Sequence, residues 1–471
     1  MATQPVLSGS DLERTTIHKL RTTILPFVLL LFFVAYLDRI NIGFAALSMN
    51  KDLGITSQQY GFLAGIFFIG YFIFEIPSNL LLQRVGARVW IARILLSWGV
   101  VAVLTGFAEN IFQLYVLRFL LGVAEAGFFP GIILYFTYWF PRREQARAVA
   151  CFMAANPVGN LVGAPLSGLI LDHAHWAGMS SWRWLLVLEG VPAVVGGVLT
   201  YLLLPNGPEE ATFLDAEEKA WLSEELARDR KLLGGVREMS APEALRHRRV
   251  WHLAAIYFTM IVASYAMVFW MPQAIQSLAS GRSNTAVGIL VMIPHLFGLI
   301  AMLLVSRNSD RTLERRRHTA LPEIIGALAL LVLAGAASGA LLISVVLWAL
   351  LAAGIYSAFG PFWSFPPEFL SGISAACAIA LINSIGNLGS FVGPYIIGAI
   401  SHRTGSLRGG LACAGLSLLI SAALVLLLKE KGHDRAASWG RTQSGRTTDG
   451  PSSRAGKRPR SNVSRSPRVP S

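Results

Sequence analysis

Twelve long apolar runs punctuate the chain, at 23–48, 60–82, 90–108, 111–138, 146–170, 184–204, 251–275, 286–305, 319–337, 340–359, 375–400 and 409–428. An α-helix needs ~20 apolar residues to cross a bilayer, whereas barrel strands are ~10 residues long and alternate in polarity. The pattern therefore predicts an all-α membrane protein with twelve transmembrane helices. The first run is too long for a cleavable leader and is interrupted by Asp38 and Arg39, so it is expected to stay as a span. One connection is long, 205–250, and it falls between runs six and seven. Within it, Asp215-Ala-Glu-Glu218 reads as a helix start, followed by Trp221, Leu222 and Leu226 at helical spacing. The expected organisation is a cytoplasmic segment 1–22, a six-helix half 23–204, a cytoplasmic linker 205–250 with an amphipathic helix, a second six-helix half 251–428, and a basic disordered tail 429–471.

Composition supports this and narrows the function. Hydrophobic residues make up 54% of the 471 and charged ones only 14%, against about a quarter charged in a soluble protein. Of the net charge of +13, the tail 429–471 supplies eight: eleven Lys and Arg against three Asp and Glu. The basic balance thus gives no reason to expect a nucleic-acid partner. Three cysteines, Cys151, Cys377 and Cys413, have unrelated spacings and are too few for a metal cluster or a disulfide framework. Asp172, His173 and His175 lack further ligands nearby, and no nucleophile–base spacing lies inside the spans. No metal, cofactor or enzyme activity is expected.

Lys and Arg in the short connections orient the spans. Arg14, Lys19, Arg21, Arg84, Arg88, Arg93, Arg142, Arg143, Arg147, Arg307, Arg311, Arg315, Arg316 and Arg317 fall on one side; Lys51, Arg183, Arg282, Arg403 and Arg408 fall on the other. Both termini should face the cytoplasm of a cell whose inner or plasma membrane holds the protein. Two patterns then recur at one offset. Asn156-Pro-Val-Gly-Asn-Leu161 returns as Asn383-Ser-Ile-Gly-Asn-Leu388, and Gln83-Arg84 corresponds to Asp310-Arg311; the offset is 227 in both cases. Duplicated halves with a site near midplane are a transporter architecture.

Ionisable groups inside the lipid are costly and are functional candidates. Span 1 contains Asp38, Arg39 and Asn41; span 2 contains Tyr71 and, one turn on, Glu75; span 4 contains Arg118, Gly122 and Glu125. At 1.5 Å per residue, Asp38 lies roughly 13 Å, Arg118 roughly 10 Å and Glu125 roughly 20 Å from the outer surface. Seven residues bring Glu125 back to within ~20° of Arg118 on one helix face. An arginine in such a place holds a carboxylate by a paired contact. An adjacent acid must then repel that anion or take up a proton, so anion and proton would travel together. Through the offset, Asp38 corresponds to Tyr265 and Arg118 to Val345: the second half offers neutral groups, namely Tyr257, Tyr265, His295, Trp363, Ser364, Asn383 and Asn387. These are expected to read the substrate while the first half handles charge. Glu368, beside Pro366 and Pro367, is either a gate contact or a helix-end charge.

Several stretches together resemble the major facilitator superfamily over 23–428, and within it the anion:cation symporters, which include bacterial tartrate, phthalate and 4-hydroxyphenylacetate permeases. They are Tyr36-Leu-Asp-Arg-Ile-Asn-Ile-Gly43, Phe74-Glu-Ile-Pro-Ser-Asn79, Arg118-Phe-Leu-Leu-Gly-Val-Ala-Glu-Ala-Gly-Phe-Phe-Pro130, Trp139-Phe-Pro-Arg-Arg-Glu-Gln-Ala-Arg147, Trp182-Arg-Trp184 with Glu189-Gly-Val-Pro192, and Ala380-Leu-Ile-Asn-Ser-Ile-Gly-Asn-Leu-Gly389. The resemblance implies that Asp38 and Glu125 are proton-coupling acids, and that Arg39 and Arg118 hold cationic positions, with Arg39 meeting the substrate carboxylate. It also implies that Tyr36, Tyr71, Trp363, Ser364 and Asn383 line the cavity. Gln83 stands where the superfamily pattern usually has Asp. The expected function is import of a small organic carboxylate in symport with protons, by alternating access and as a monomer. The alternative is a proton-coupled antiporter exporting drugs or metabolites. Phe362, Trp363 and Phe365 suit an aromatic acid; the neutral polar groups suit a hydroxy-dicarboxylate.

Overall fold

The computed structural model describes residues 9–153, 155–233, 246–335, 340–366 and 372–428. Glu368 and the tail 429–471 lie outside them. Fifteen α-helices follow one another among the described residues: α1 Gly9–Asp52, α2 Ser57–Val85, α3 Ala87–Thr105, α4 Ile111–Glu125, α5 Phe128–Thr137, α6 Arg142–Met153, α7 Ala155–His173, α8 Ser181–Leu203, α9 Ala216–Leu233, α10 Arg248–Leu278, α11 Asn284–Thr312, α12 Arg316–Gly335, α13 Leu341–Trp363, α14 Gly372–Thr404 and α15 Arg408–Leu426. They provide twelve spans long and apolar enough to cross a membrane, one for each apolar run of the sequence. Polar caps set the starts. Thr56 and Gln59 form a reciprocal box before α2, Asn110 accepts from the Gln113 amide before α4, and Ser283 accepts from Ala286 before α11. Helix α1 begins at Gly9, well before the apolar run, so residues 9–22 of the polar leading segment are helical too.

Span 4 is broken where the sequence pattern reads as continuous. Pro130 has no N–H to give the carbonyl a turn earlier, α4 stops at Glu125, and Gly127 turns the chain at φ +87° before α5 starts. A Cβ at Gly127 would also sit 2.4 Å from Ser78 Oγ, a second reason for glycine there. The break leaves Glu125 as the last residue of its helix.

Most basic loops gather at one end of the bundle, hereafter the basic end. There α9 lies against the first half. Its start carries the box expected from the sequence: the Glu218 amide donates to Asp215 Oδ1 at 2.9 Å and the Asp215 amide to Glu218 Oε2 at 3.0 Å. Leu222 and Leu226 are buried beneath it. Lys19 reaches Glu218 at 2.7 Å, Arg143 reaches Glu13 at 2.7 Å and Glu225 at 2.9 Å, and Arg88 pairs with Glu210.

The opposite end is where the two sets of spans close on one another. Asp172, ending α7, accepts from the Asn284 backbone and side-chain amides, both at 2.9 Å, and from the Thr285 amide at 2.7 Å and hydroxyl at 2.6 Å. The carboxylate therefore caps α11 of the other half, which is why it is not a free loop acid. Helices α2 and α14 meet backbone to backbone: a Cβ at Gly61 would lie 2.5 Å from the Pro394 carbonyl, and one at Gly398 2.4 Å from that of Ser57. Tyr60 donates to the Phe269 carbonyl at 2.9 Å and Trp270 to that of Pro394 at 3.2 Å, with their rings edge to face.

Candidate functional site

Close packing of α2 against α4 builds the centre. A Cβ at Gly122 would fall 2.0 Å from the Phe67 carbonyl, so only glycine lets the helices touch there. Arg118 and Glu125, one turn to either side of it, are thereby held against α2 and α1; both are 1% exposed.

Arg39 aims Nε at 2.8 Å and Nη2 at 2.5 Å at a single oxygen of Glu125, Oε1. Its guanidinium lies over Tyr71 at 5.3 Å and Phe67 at 5.7 Å and keeps an accessible edge, at 14% side-chain exposure against 1% for Glu125. Glu125 Oε2 is buried with no hydrogen-bond partner among the described residues. Arg118 approaches the other face of the same neighbourhood, 5.3 Å from the Phe67 ring. Its Nε and Nη2 are likewise buried and unpartnered, although Asp38 and Glu125 act on it electrostatically. Unmet N–H groups on a buried cation cost about 1–3 kcal/mol or more, so this corner is poised to accept an anionic oxygen.

Asp38 and Arg39 are chain neighbours that face different ways. Asp38 turns into the interior of the first half, where Trp98 Nε1 donates to Oδ2 at 2.6 Å and Asn41 Nδ2 to Oδ1 at 3.1 Å. Arg39 turns toward span 4 and the second half, where Tyr265 comes within electrostatic reach of it. Tyr265, 227 positions after Asp38, thus lies beside the charges of spans 1 and 4.

The third acid, Glu75, crosses between halves. Ser384 Oγ donates to its Oε2 at 2.9 Å and Asn383 Nδ2 approaches Oε1 at 3.5 Å. A second crossing runs through Tyr356, whose hydroxyl accepts from Asn160 at 3.3 Å and meets His295 Nδ1 at 2.9 Å. Tyr36 packs its ring where a Cβ on Gly159 would stand. Asn387, one turn past Asn383, is half-buried. Trp363 and Ser364 end α13 at the basic end rather than near its middle; Ser364 is the cap residue and its hydroxyl donates to the Gly360 carbonyl at 3.2 Å. Phe362 and Phe365 are buried, and Phe362 stacks on Tyr257 at 5.3 Å, so of the three aromatic residues only Trp363 keeps an accessible surface.

The sequence pattern of the Major Facilitator Superfamily matches residues 28–394. The chain belongs to the major facilitator superfamily. It is a membrane transporter whose twelve spans carry the family's fold. Among relatives, a protein of Agrobacterium vitis named "Putative tartrate transporter" is 46% identical over 89% of this chain and 92% of its own length. A "Quinolone resistance transporter" of Acinetobacter baumannii is 38% identical over 89% of this chain and 96% of its own. A crystal structure of a bacterial homologue of the human lysosomal transporter Spinster, inward-facing and occupied, matches with TM-score 0.71 at 15% identity, covering 86% of this chain and 96% of that one.

Within this family member the charges foreseen in spans 1, 2 and 4 form one connected neighbourhood. Sequence reasoning missed Trp98, Ser384 and Tyr356 as partners of the buried groups. Trp98 and Tyr356 read by pattern as packing aromatics and Ser384 as a small residue of the repeated motif, and only the helix crossings reveal their partners. At Asp172, His173 and His175 the carboxylate is engaged by α11 and the two rings bond to nearby carbonyls. His173 Nδ1 meets the Leu169 carbonyl at 3.0 Å, His175 Nε2 that of Asp172 at 3.1 Å, and no metal-holding group occurs among the described residues.

Proposed function

We propose that the chain imports a small organic carboxylate in symport with protons by alternating access, with Asp38 and Glu125 as the proton-coupling acids. The observation that carries the reading is Arg39, a guanidinium with an accessible edge already engaged by one oxygen of Glu125. An incoming carboxylate competes for that guanidinium. Once displaced, Glu125 is an acid without its cation in a buried place, and proton uptake restores neutrality. Tyr36, Tyr71, Arg118, Asn383 and Asn387 surround the substrate in this scheme, and Trp363 and Ser364 guard the basic-end mouth. The name of the relative from Agrobacterium vitis supports an organic anion as cargo. The arginine-rich loops support a cell-membrane orientation with both termini cytoplasmic, and the protein is proposed to act as a monomer.

Purified protein in liposomes tests this with labelled tartrate as probe and other carboxylates as competitors. An imposed inward proton gradient should drive accumulation, and Asp38→Asn should abolish it. Uptake indifferent to the gradient removes the symport. The relative named for quinolone resistance favours a second reading, export of a drug by proton exchange. Efflux of a quinolone driven by an opposing proton gradient, with no carboxylate uptake, would establish that alternative instead.

A further inference from the structure

One buried acid has no part in the scheme above. Glu189 on α8 is 2% exposed and belongs to no ion pair among the described residues. Its Oε1 accepts from Ser167 of α7 at 2.9 Å, while its Oε2 is buried without a partner. Its other polar neighbour is the Asn41 side chain, and the charged group acting on it is Asp38. Asn41 in turn spends Nδ2 on Asp38 Oδ1 and leaves its own Oδ1 buried and unpartnered. One carboxamide thus stands between two carboxyls, with an orphaned acceptor on each side of its contact with Glu189.

Two acceptors cannot bond to each other, but a single proton makes them partners. We propose that Glu189 is a resident proton-binding site: it stays a carboxylic acid, accepts from Ser167 through Oε1 and donates Oε2–H to Asn41 Oδ1. That bond fixes the direction of the Asn41 amide, whose Nδ2 then points at Asp38 Oδ1. Glu189 is therefore a positioning residue for Asp38, acting through Asn41. The arrangement also avoids two adjacent negative charges around one amide, where no cation pairs with Glu189 among the described residues. The groups facing Asp38 are Trp98 from α3, Asn41 from its own helix, Arg118 and Glu125 from α4, and Glu189 through Asn41. Of these, Glu189 alone is assigned the neutral form as its working state.

The inference rests on the proton-symport reading only for its transport readout, so the test has an independent arm. Infrared spectra of the purified full-length protein in lipid, wild type minus Glu189→Gln at neutral pH, should contain the carbonyl stretch of a protonated carboxyl. Carboxylate bands alone at that pH overturn the proposal whatever the protein transports. In the second arm, gradient-driven tartrate uptake is measured against pH. Glu189→Gln keeps a donor for Asn41 Oδ1 and should leave the midpoint where the wild type has it. Glu189→Val removes that donor and frees the amide from Asp38. The ionised form of Asp38 then loses support, and the midpoint should move by about one unit to higher pH. A Glu189→Gln midpoint displaced to lower pH would mean that a negative charge had been removed from beside Asp38, and would overturn the neutral assignment. Ser167→Ala, which removes only the donor to Oε1, should keep the protonated-carboxyl band.

Discussion

Replacing Glu125 by Gln separates binding from coupling. The two Arg39 contacts at 2.8 and 2.5 Å converge on one Glu125 oxygen, so an arriving carboxylate competes with an internal one. A hydrogen bond to a charged group contributes about 1.5–3 kcal/mol, roughly twice a neutral one. Glutamine keeps an acceptor for Arg39 but no charge, so the internal competitor weakens by about 0.8–1.5 kcal/mol. At 1.4 kcal/mol per decade, the variant should bind carboxylate ~4- to 12-fold more tightly. With no proton to take up at position 125, it should fail to accumulate substrate while still exchanging it across the membrane. Calorimetric titration with the transported acid, counterflow, and gradient-driven uptake in the same liposomes provide the three readings. Weaker binding combined with retained accumulation would refute the competition between Glu125 and substrate for Arg39.

Asp172→Ala removes four hydrogen bonds at the start of α11. It should cost about 1–2 kcal/mol of the closed opposite end, shifting the population some five- to thirtyfold; spin-label distances between the two halves on that side should lengthen. Gly122→Ala forces a Cβ to 2.0 Å from the Phe67 carbonyl, so the melting temperature in detergent should fall and uptake should be lost together with it. At the basic end, hydrogen bonds from the Asn206 side chain and backbone, helped by Arg88, hold the Glu210 carboxyl below the ordinary carboxylate range. Its contribution is present at neutral pH and is lost as pH falls through that lowered value. Because the group is exposed, the effect is small; limited proteolysis of the segment joining α8 to α9 should accelerate only on acidification below the usual carboxylate range.

Much of this was legible in the letters because lipid imposes a coarse grammar. A run of ~20 apolar residues has one economical conformation, so all twelve spans could be marked out, and a charge inside such a run stands out against its neighbours. The seven-residue step from Arg118 to Glu125 survives in the structure because the helix breaks only after Glu125. The break itself was hidden: Gly127 and Pro130 were visible in the sequence, but similar residues in spans 5 and 11 lie inside helices. Which way Asp38 and Arg39 turn was also hidden, since adjacent residues on a helix point about 100° apart and the sequence does not say which bundle face each meets. Trp98 is the clearest example, an indole that pattern reads as packing and that proves to be the closest donor to Asp38. The capping role of Asp172 was hidden too, because its partners lie more than a hundred residues away.

Asp172 also bears on how easily the molecule turns over. Its bonds are made with the first turn of a helix, groups that water satisfies once the halves part to within the ~1–2 kcal/mol of a helix cap. In the proposed alternating-access scheme, exchanging these donors for hydration leaves the closed opposite end favoured by only ~1–2 kcal/mol, so the two orientations need differ only modestly in free energy. A seal of that kind does not choose a direction of travel. In that scheme the choice falls to the concentration differences across the membrane, and transport would run backwards if they were reversed.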